Sequence, residues 1–196
     1  MKVLIAVFMG LACGFAIQKI IALDSLYIMF LYAVIYGTTI IRFFEGNVIF
    51  YGKEHIIECS DKNDRSTKSK IDIYSTLFQF LIFSAMGHLI GNFILFLYMF
   101  IFLNLVDFIW HGWSYLKMKD ENIETSRTSL FWSLSNLFFG LLLIFIHICF
   151  YVPNNLDTID FLTIFAIFSV IAMFVDYFFN KDFYFSSDAK KIFENY

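Results

Sequence analysis

Apolar residues run through this chain in six long blocks, 3–23, 26–44, 73–90, 93–113, 129–152 and 161–179, with polar breaks between them. A hydrocarbon layer about 30 Å thick takes about 20 residues of α-helix to cross, and each block is near that length. The pattern predicts an all-α integral membrane protein, a compact bundle of six transmembrane helices. A single domain covers 1–179, with a hydrophilic loop at 45–72 and an apolar tail at 180–196.

The polar breaks also predict an orientation, because Lys and Arg near span ends stay on the cytoplasmic side whereas acids count for little. With the N-terminus inside, the cytoplasmic segments hold Lys2; then Arg42, Lys53, Lys62, Arg65, Lys68 and Lys70; then Lys117, Lys119 and Arg127; then Lys181, Lys190 and Lys191. Of the fourteen basic residues only Lys19 falls outside. Reading 73–113 as one span would move the last two groups outside and erase the asymmetry, so two spans with a turn at Gly91-Asn92 are expected. Both chain ends are then cytoplasmic. Trp110, Trp113 and Trp132 fall at the inner interface, where indole rings anchor among headgroups.

Composition agrees with this class. The chain is 60% apolar and 16% charged, with a mean hydropathy of +0.72, against roughly 45–50% apolar residues in soluble domains. The bacterial inner membrane is the expected location. Lys2 and the residues after it resemble a signal peptide, and Leu11-Ala12-Cys13-Gly14 resembles a lipoprotein cleavage site. Gly10 stands where such a site carries an aliphatic residue, so the first block is expected to remain as a span. Cys13, Cys59 and Cys149 are read as free thiols, and with four scattered histidines they make no zinc pattern.

Little of the chain is hydrophilic. Residues 53–72 carry five basic and five acidic side chains, a balance that suits a solvated loop and argues against nucleic acid or an anionic lipid surface as partner. The tail is too apolar to be free in water. Phe183, Tyr184, Phe185, Ile192, Phe193 and Tyr196 are its candidate docking residues, against the inner face of the bundle or a cytoplasmic partner.

Polar residues inside the blocks are the candidate site. Ionisable groups there usually face a bundle interior or a wet cavity. Asn104, Asp107 and His111 share one helical stripe, as do Ser129, Ser133, Asn136 and Gly140, then Ser169, Asp176 and Asn180, then Thr38, Arg42 and Glu45. All four stripes reach the cytoplasmic half, so Arg42 is expected to pair with Asp107 or Asp176 in a polar pocket. The alternative is that these residues only lock helices together near the headgroups. Gly10 and Gly14 form a small-x-x-x-small pair suited to helix packing. His88 and His147 lie toward the outer ends of their spans.

No catalytic, phosphate-binding, metal or cofactor motif occurs, and none marks a family. The function expected is a non-enzymatic membrane subunit that oligomerises, senses or alters membrane state and docks a cytoplasmic protein; a toxin-like or phage-defence component is one form this takes. A small ion or solute transporter using Asp107 and Asp176 is the second reading. A membrane-embedded lipid-modifying enzyme is the third, with Asp107, His111 and Asp176 as acid and base.

Overall fold

The computed structural model describes residues 2–52, 65–118, 123–153 and 155–186, and no strand occurs among them. The helices are α1 Lys2–Ile21, α2 Leu26–Gly52, α3 Arg65–Leu89, α4 Phe93–Met118, α5 Ile123–Ile146, α6 Thr158–Phe179 and the short α7 Lys181–Tyr184. A single π turn, His147–Tyr151, carries α5 toward Pro153. Four helical stretches are long and apolar enough to cross a membrane: Leu26–Ile49, Phe93–Leu116, Ser126–Tyr151 and Thr158–Phe179.

The other two predicted spans are less complete. The described apolar part of the first is Val7–Ile21, shorter than the rest. α3 opens with Arg65, Lys68, Lys70 and Asp72 before its apolar residues begin. Helix therefore outruns hydrophobicity. α2 passes residue 44 and continues to Gly52, and α3 starts at Arg65, so both ends of the expected 45–72 loop are helical. Apolar patterning marks where a helix can be buried, while its ends are set by caps and breakers.

Such signals stand at the α3–α4 turn and at the start of α6. Gly91 has φ +94°, a left-handed conformation that glycine adopts without a Cβ penalty, and it turns α3 into α4. Asn92 Oδ1 then accepts from Leu95 N at 3.3 Å. Asp157 caps α6 by accepting from Asp160 N at 2.8 Å, satisfying one of the free N–H groups of a first turn.

Helices consecutive in the chain run in alternate directions, so second and fourth neighbours along it are parallel. α2 and α6 are parallel, with Tyr27 against Thr163 at one end and Glu45 against Tyr177 at the other. α4 and α5 are antiparallel, joined by Tyr98 to His147 and by Phe108 to Ser133. α1 and α3 are parallel and very close: a Cβ on Gly87 would lie 3.0 Å from Ala16 N and 3.2 Å from Ala12 O. Tyr36 of α2 ties this pair by donating to Ala12 O at 2.9 Å and Phe83 O at 3.1 Å.

Two apolar clusters result. The larger is built on Phe83, Phe96, Phe100, Phe161 and Phe165 between the long helices. The smaller lies beyond it, toward α7, and joins Ile49, Trp110 and Trp132 to Phe183 and Tyr184. Outside, every long helix exposes large apolar side chains, among them Ile17, Phe30, Leu81, Phe102, Phe138 and Phe178. Continuous apolar surface of this kind is foreign to water-facing monomers and suits contact with lipid.

Gly87→Val should drive a branched side chain into the α1 backbone and lower the unfolding free energy in detergent by about 1–3 kcal/mol. Gly10→Ala and Gly14→Ala, where a Cβ meets nothing within 4 Å, should leave stability unchanged or slightly raised. Equal losses at all three positions would mean that α1 and α3 do not meet at Gly87.

Candidate functional site

Between the two apolar clusters lies one polar layer, and each of α2 to α6 supplies at least one side chain to it. Along α2, Ile40 and Phe43 belong to the large cluster, Arg42 and Asn47 to the layer and Ile49 to the small cluster. α5 shows the reverse, with Trp132, then Asn136, then Phe139. The polar groups are thus flanked on both sides by apolar packing.

Arg42 is the only cation of the layer among the described residues. Its Nε lies 3.2 Å from Asp176 Oδ2, and its Nη2 donates to Asn136 Oδ1. Asn136 passes the contact on, its amide nitrogen donating to Asp107 Oδ2. The other Asp107 oxygen accepts from Gln79 Nε2 at 2.8 Å, with His111 Nε2 3.5 Å away. Gln79 in turn accepts from Asn47 Nδ2 at 2.9 Å. Asp176 receives Trp132 Nε1 at 2.7 Å, Asn180 Nδ2 at 2.7 Å and the Tyr184 hydroxyl at 3.0 Å. The chain of contacts ties α2, α3, α4, α5, α6 and α7 together.

Burying these charges is costly, and only dense pairing offsets the lost hydration. Asp107 and Asp176 are 3% and 2% exposed, yet each carboxylate oxygen has at least one donor or cationic partner. Arg42 also lies over the Phe43 ring, 5.4 Å from its centre. Burial and the neighbouring Asp176 carboxylate push the Tyr184 hydroxyl well above the usual tyrosine range, so it stays a donor. Space inside is small. A cavity of about 10 Å³ is lined by Arg42, Asn47, Asp107, His111, Trp132 and Asp176, room for about one water.

The stripes read from the sequence meet unevenly. Arg42, Asp107, His111, Asn136, Asp176 and Asn180 share the layer. Glu45 stands at its rim as the acceptor of the Tyr177 hydroxyl. Asn104 stays out of it: its amide turns back to Phe100 O at 2.8 Å, and its Cβ is 3.6 Å from where a Gly140 Cβ would be, a close α4–α5 packing point. Thr38 and Ser169 likewise bond carbonyls of their own helices.

In the tail, Phe183 and Tyr184 are buried under Trp132, Phe185 is 74% exposed, and Ile192, Phe193 and Tyr196 lie outside the described residues. A Cβ on Gly10 or Gly14 would meet open space, so neither glycine is a close-packing point within the described chain. His88 packs on Phe15 with ring centres 4.0 Å apart, and His147 meets Tyr98 and Tyr151. Cys13 and Cys149 are free thiols, and Cys59 lies outside the described residues.

Sequence reasoning missed Gln79, Asn47 and Tyr177, and gave Trp132 and Tyr184 places at the inner interface and in the tail rather than in the layer. Gln79 had a signal, a lone amide inside an apolar block, where such groups bond across helices. Asn47 had none, since it lies past the point where the apolar pattern stops. The inner-interface rule assigned Trp132 to the headgroups, whereas its indole nitrogen is held by Asp176.

Arg42→Met should cost about 3–5 kcal/mol, because it strands two buried carboxylates. Adding Asp176→Leu should recover part of that loss. A double-mutant cycle on unfolding in detergent measures the coupling; strictly additive losses would show that the pair is not energetically linked.

Comparison with protein-family models, curated proteins and solved structures finds no significant match for this chain.

Proposed function

We propose that this protein is a non-enzymatic, six-span inner-membrane subunit with both ends in the cytoplasm, which responds to membrane state and docks a cytoplasmic partner. The supporting observation is the self-sufficiency of the polar layer. Its groups bond one another across six helices and leave a cavity of about 10 Å³, whereas small-molecule sites have about 300–1,000 Å³. The four apolar helices and the lipid-like outer surface support membrane insertion. The distribution of basic residues supports the inward-facing ends.

In this reading α7 is the junction between membrane and cytoplasm. Phe183 and Tyr184 are committed to the bundle while Phe185 points away, so partner contact falls to Phe185 and the residues beyond it. A homo-oligomer fits the same role, with the open Gly10 and Gly14 face available to a second copy.

A second reading, a small cation carrier, rests on Asp107 and Asp176 lining one cavity. Vesicle flux separates the two. The subunit reading expects reconstituted protein to conduct no more than protein-free vesicles; flux lost on Asp107→Asn with Asp176→Asn would favour the carrier. Removing residues 187–196 together with Phe185→Ser should leave thermal unfolding unchanged and abolish co-purification of the partner. Retention of the same partner by that variant would remove the docking reading.

A further inference from the structure

Arginine donates and never accepts, so Asn136 must turn its oxygen to Arg42 and its nitrogen to Asp107 Oδ2. That oxygen of Asp107 is held as an acceptor. Oδ1 has more freedom, because it faces Gln79 at 2.8 Å and His111 at 3.5 Å, groups able to donate or accept.

An ionised Oδ1 sets the direction of two amides. Gln79 must present its nitrogen to the carboxylate and its oxygen to Asn47, and Asn47 must then present its nitrogen to Gln79. Asn47 Oδ1 is left over. Asn47 is 6% exposed and lines the cavity, and this oxygen has no hydrogen-bond partner among the described residues. A buried free acceptor calls for a donor, and it sits at the end of a chain whose direction is set at Asp107.

We propose that Asp107 Oδ1 is a proton-binding site whose occupancy passes through Gln79 to Asn47, so that one proton reverses both amides and turns the free group of Asn47 from acceptor to donor. Hydronium supplies the proton and leaves as water; an O–H bond forms on Oδ1 and no electrons are transferred. The new hydroxyl donates to Gln79 Oε1, Gln79 Nε2 donates to Asn47 Oδ1, and Asn47 Nδ2 faces the cavity. Asn136 keeps its orientation throughout, since Arg42 does not change.

Charge balance favours this location. Arg42, Asp107 and Asp176 sum to one net negative charge when both acids are ionised and to zero with the proton bound, and a buried uncompensated charge is the costly state. The charged and titratable groups facing Asp107 are Arg42 from α2, His111 from its own helix and Asp176 from α6, with Tyr184 of α7 on the far side of Asp176. From α3 and α5 come Gln79, Asn136 and Trp132, which do not titrate. Oδ1 lies nearer Gln79 than His111, which directs the hydroxyl into the amide chain. The site stands independently of any docking partner.

Full-length protein in lipid nanodiscs, with aspartate carboxyls isotopically labelled and side-chain amides labelled with ¹⁵N, provides the test. On acidification a protonated-carboxyl infrared band should appear, absent from Asp107→Asn, and the Asn47 amide resonances should shift with the same midpoint. Asp107→Asn should hold Asn47 at its low-pH position at every pH, because an amide nitrogen must then face Gln79. Gln79→Leu should preserve the infrared titration and uncouple Asn47 from it. Should the band never appear before the bundle unfolds, the proton site is refuted. An Asn47 shift that persists in Gln79→Leu would overturn the relay, and these two readouts suffice if Asp107→Asn does not fold.

Discussion

One guanidinium holds this bundle's interior together. Arg42 is the sole cation of the polar layer among the described residues, and it faces two carboxylates on different helices, touching Asp176 directly and reaching Asp107 through Asn136. In a medium of low dielectric its absence would leave both acids without compensation, and neither could stay buried as an ion. The positions of α2, α4, α5 and α6 relative to one another are therefore constrained by a charge requirement as well as by packing. Apolar helices in lipid need such a constraint, because lipid tails solvate them about as well as other helices do.

Apolar packing protects the layer in return. The phenylalanine-rich cluster closes it on one side and the Trp110, Trp132, Phe183 and Tyr184 cluster on the other. α7 is only four residues long, too short to be stable alone. It persists because Phe183 fills space against Trp132 and Tyr184 bonds Asp176. The same carboxylate thus anchors the cation of α2, the indole of α5 and the hydroxyl of α7.

The helices were legible in the sequence because apolar length reports burial directly, and the Gly91-Asn92 turn because a positive φ favours glycine. Their ends were not, since α2 and α3 continue as helix through polar sequence that composition assigns to a loop. At the site, stripe spacing brought out Arg42, Asp107, His111, Asn136, Asp176 and Asn180, which share the layer. Spacing could not separate them from Asn104, which lies on the same face of α4 as Asp107 yet bonds its own helix. A stripe gives direction from the helix axis; the partner opposite decides the rest. Asn47 was invisible for that reason, being defined by a hydrogen bond to Gln79 across helices distant in sequence.

The layer also limits how the protein can change state. Each member donates to another, accepts from another or balances its charge, so moving one helix alone exposes a buried polar group. Opening a solute path through this end would break contacts of Arg42, Asn136 and Asp176 together. A reversal of two amides breaks none permanently, since each bond is replaced by one of opposite sense. Changes of this kind alter which groups donate and accept while leaving the helices in place, whereas alternate exposure of a cargo to two sides requires helices to move. Asp176, bonded to both Arg42 and Tyr184, fixes α7 to the part of the layer that such a reversal leaves unchanged.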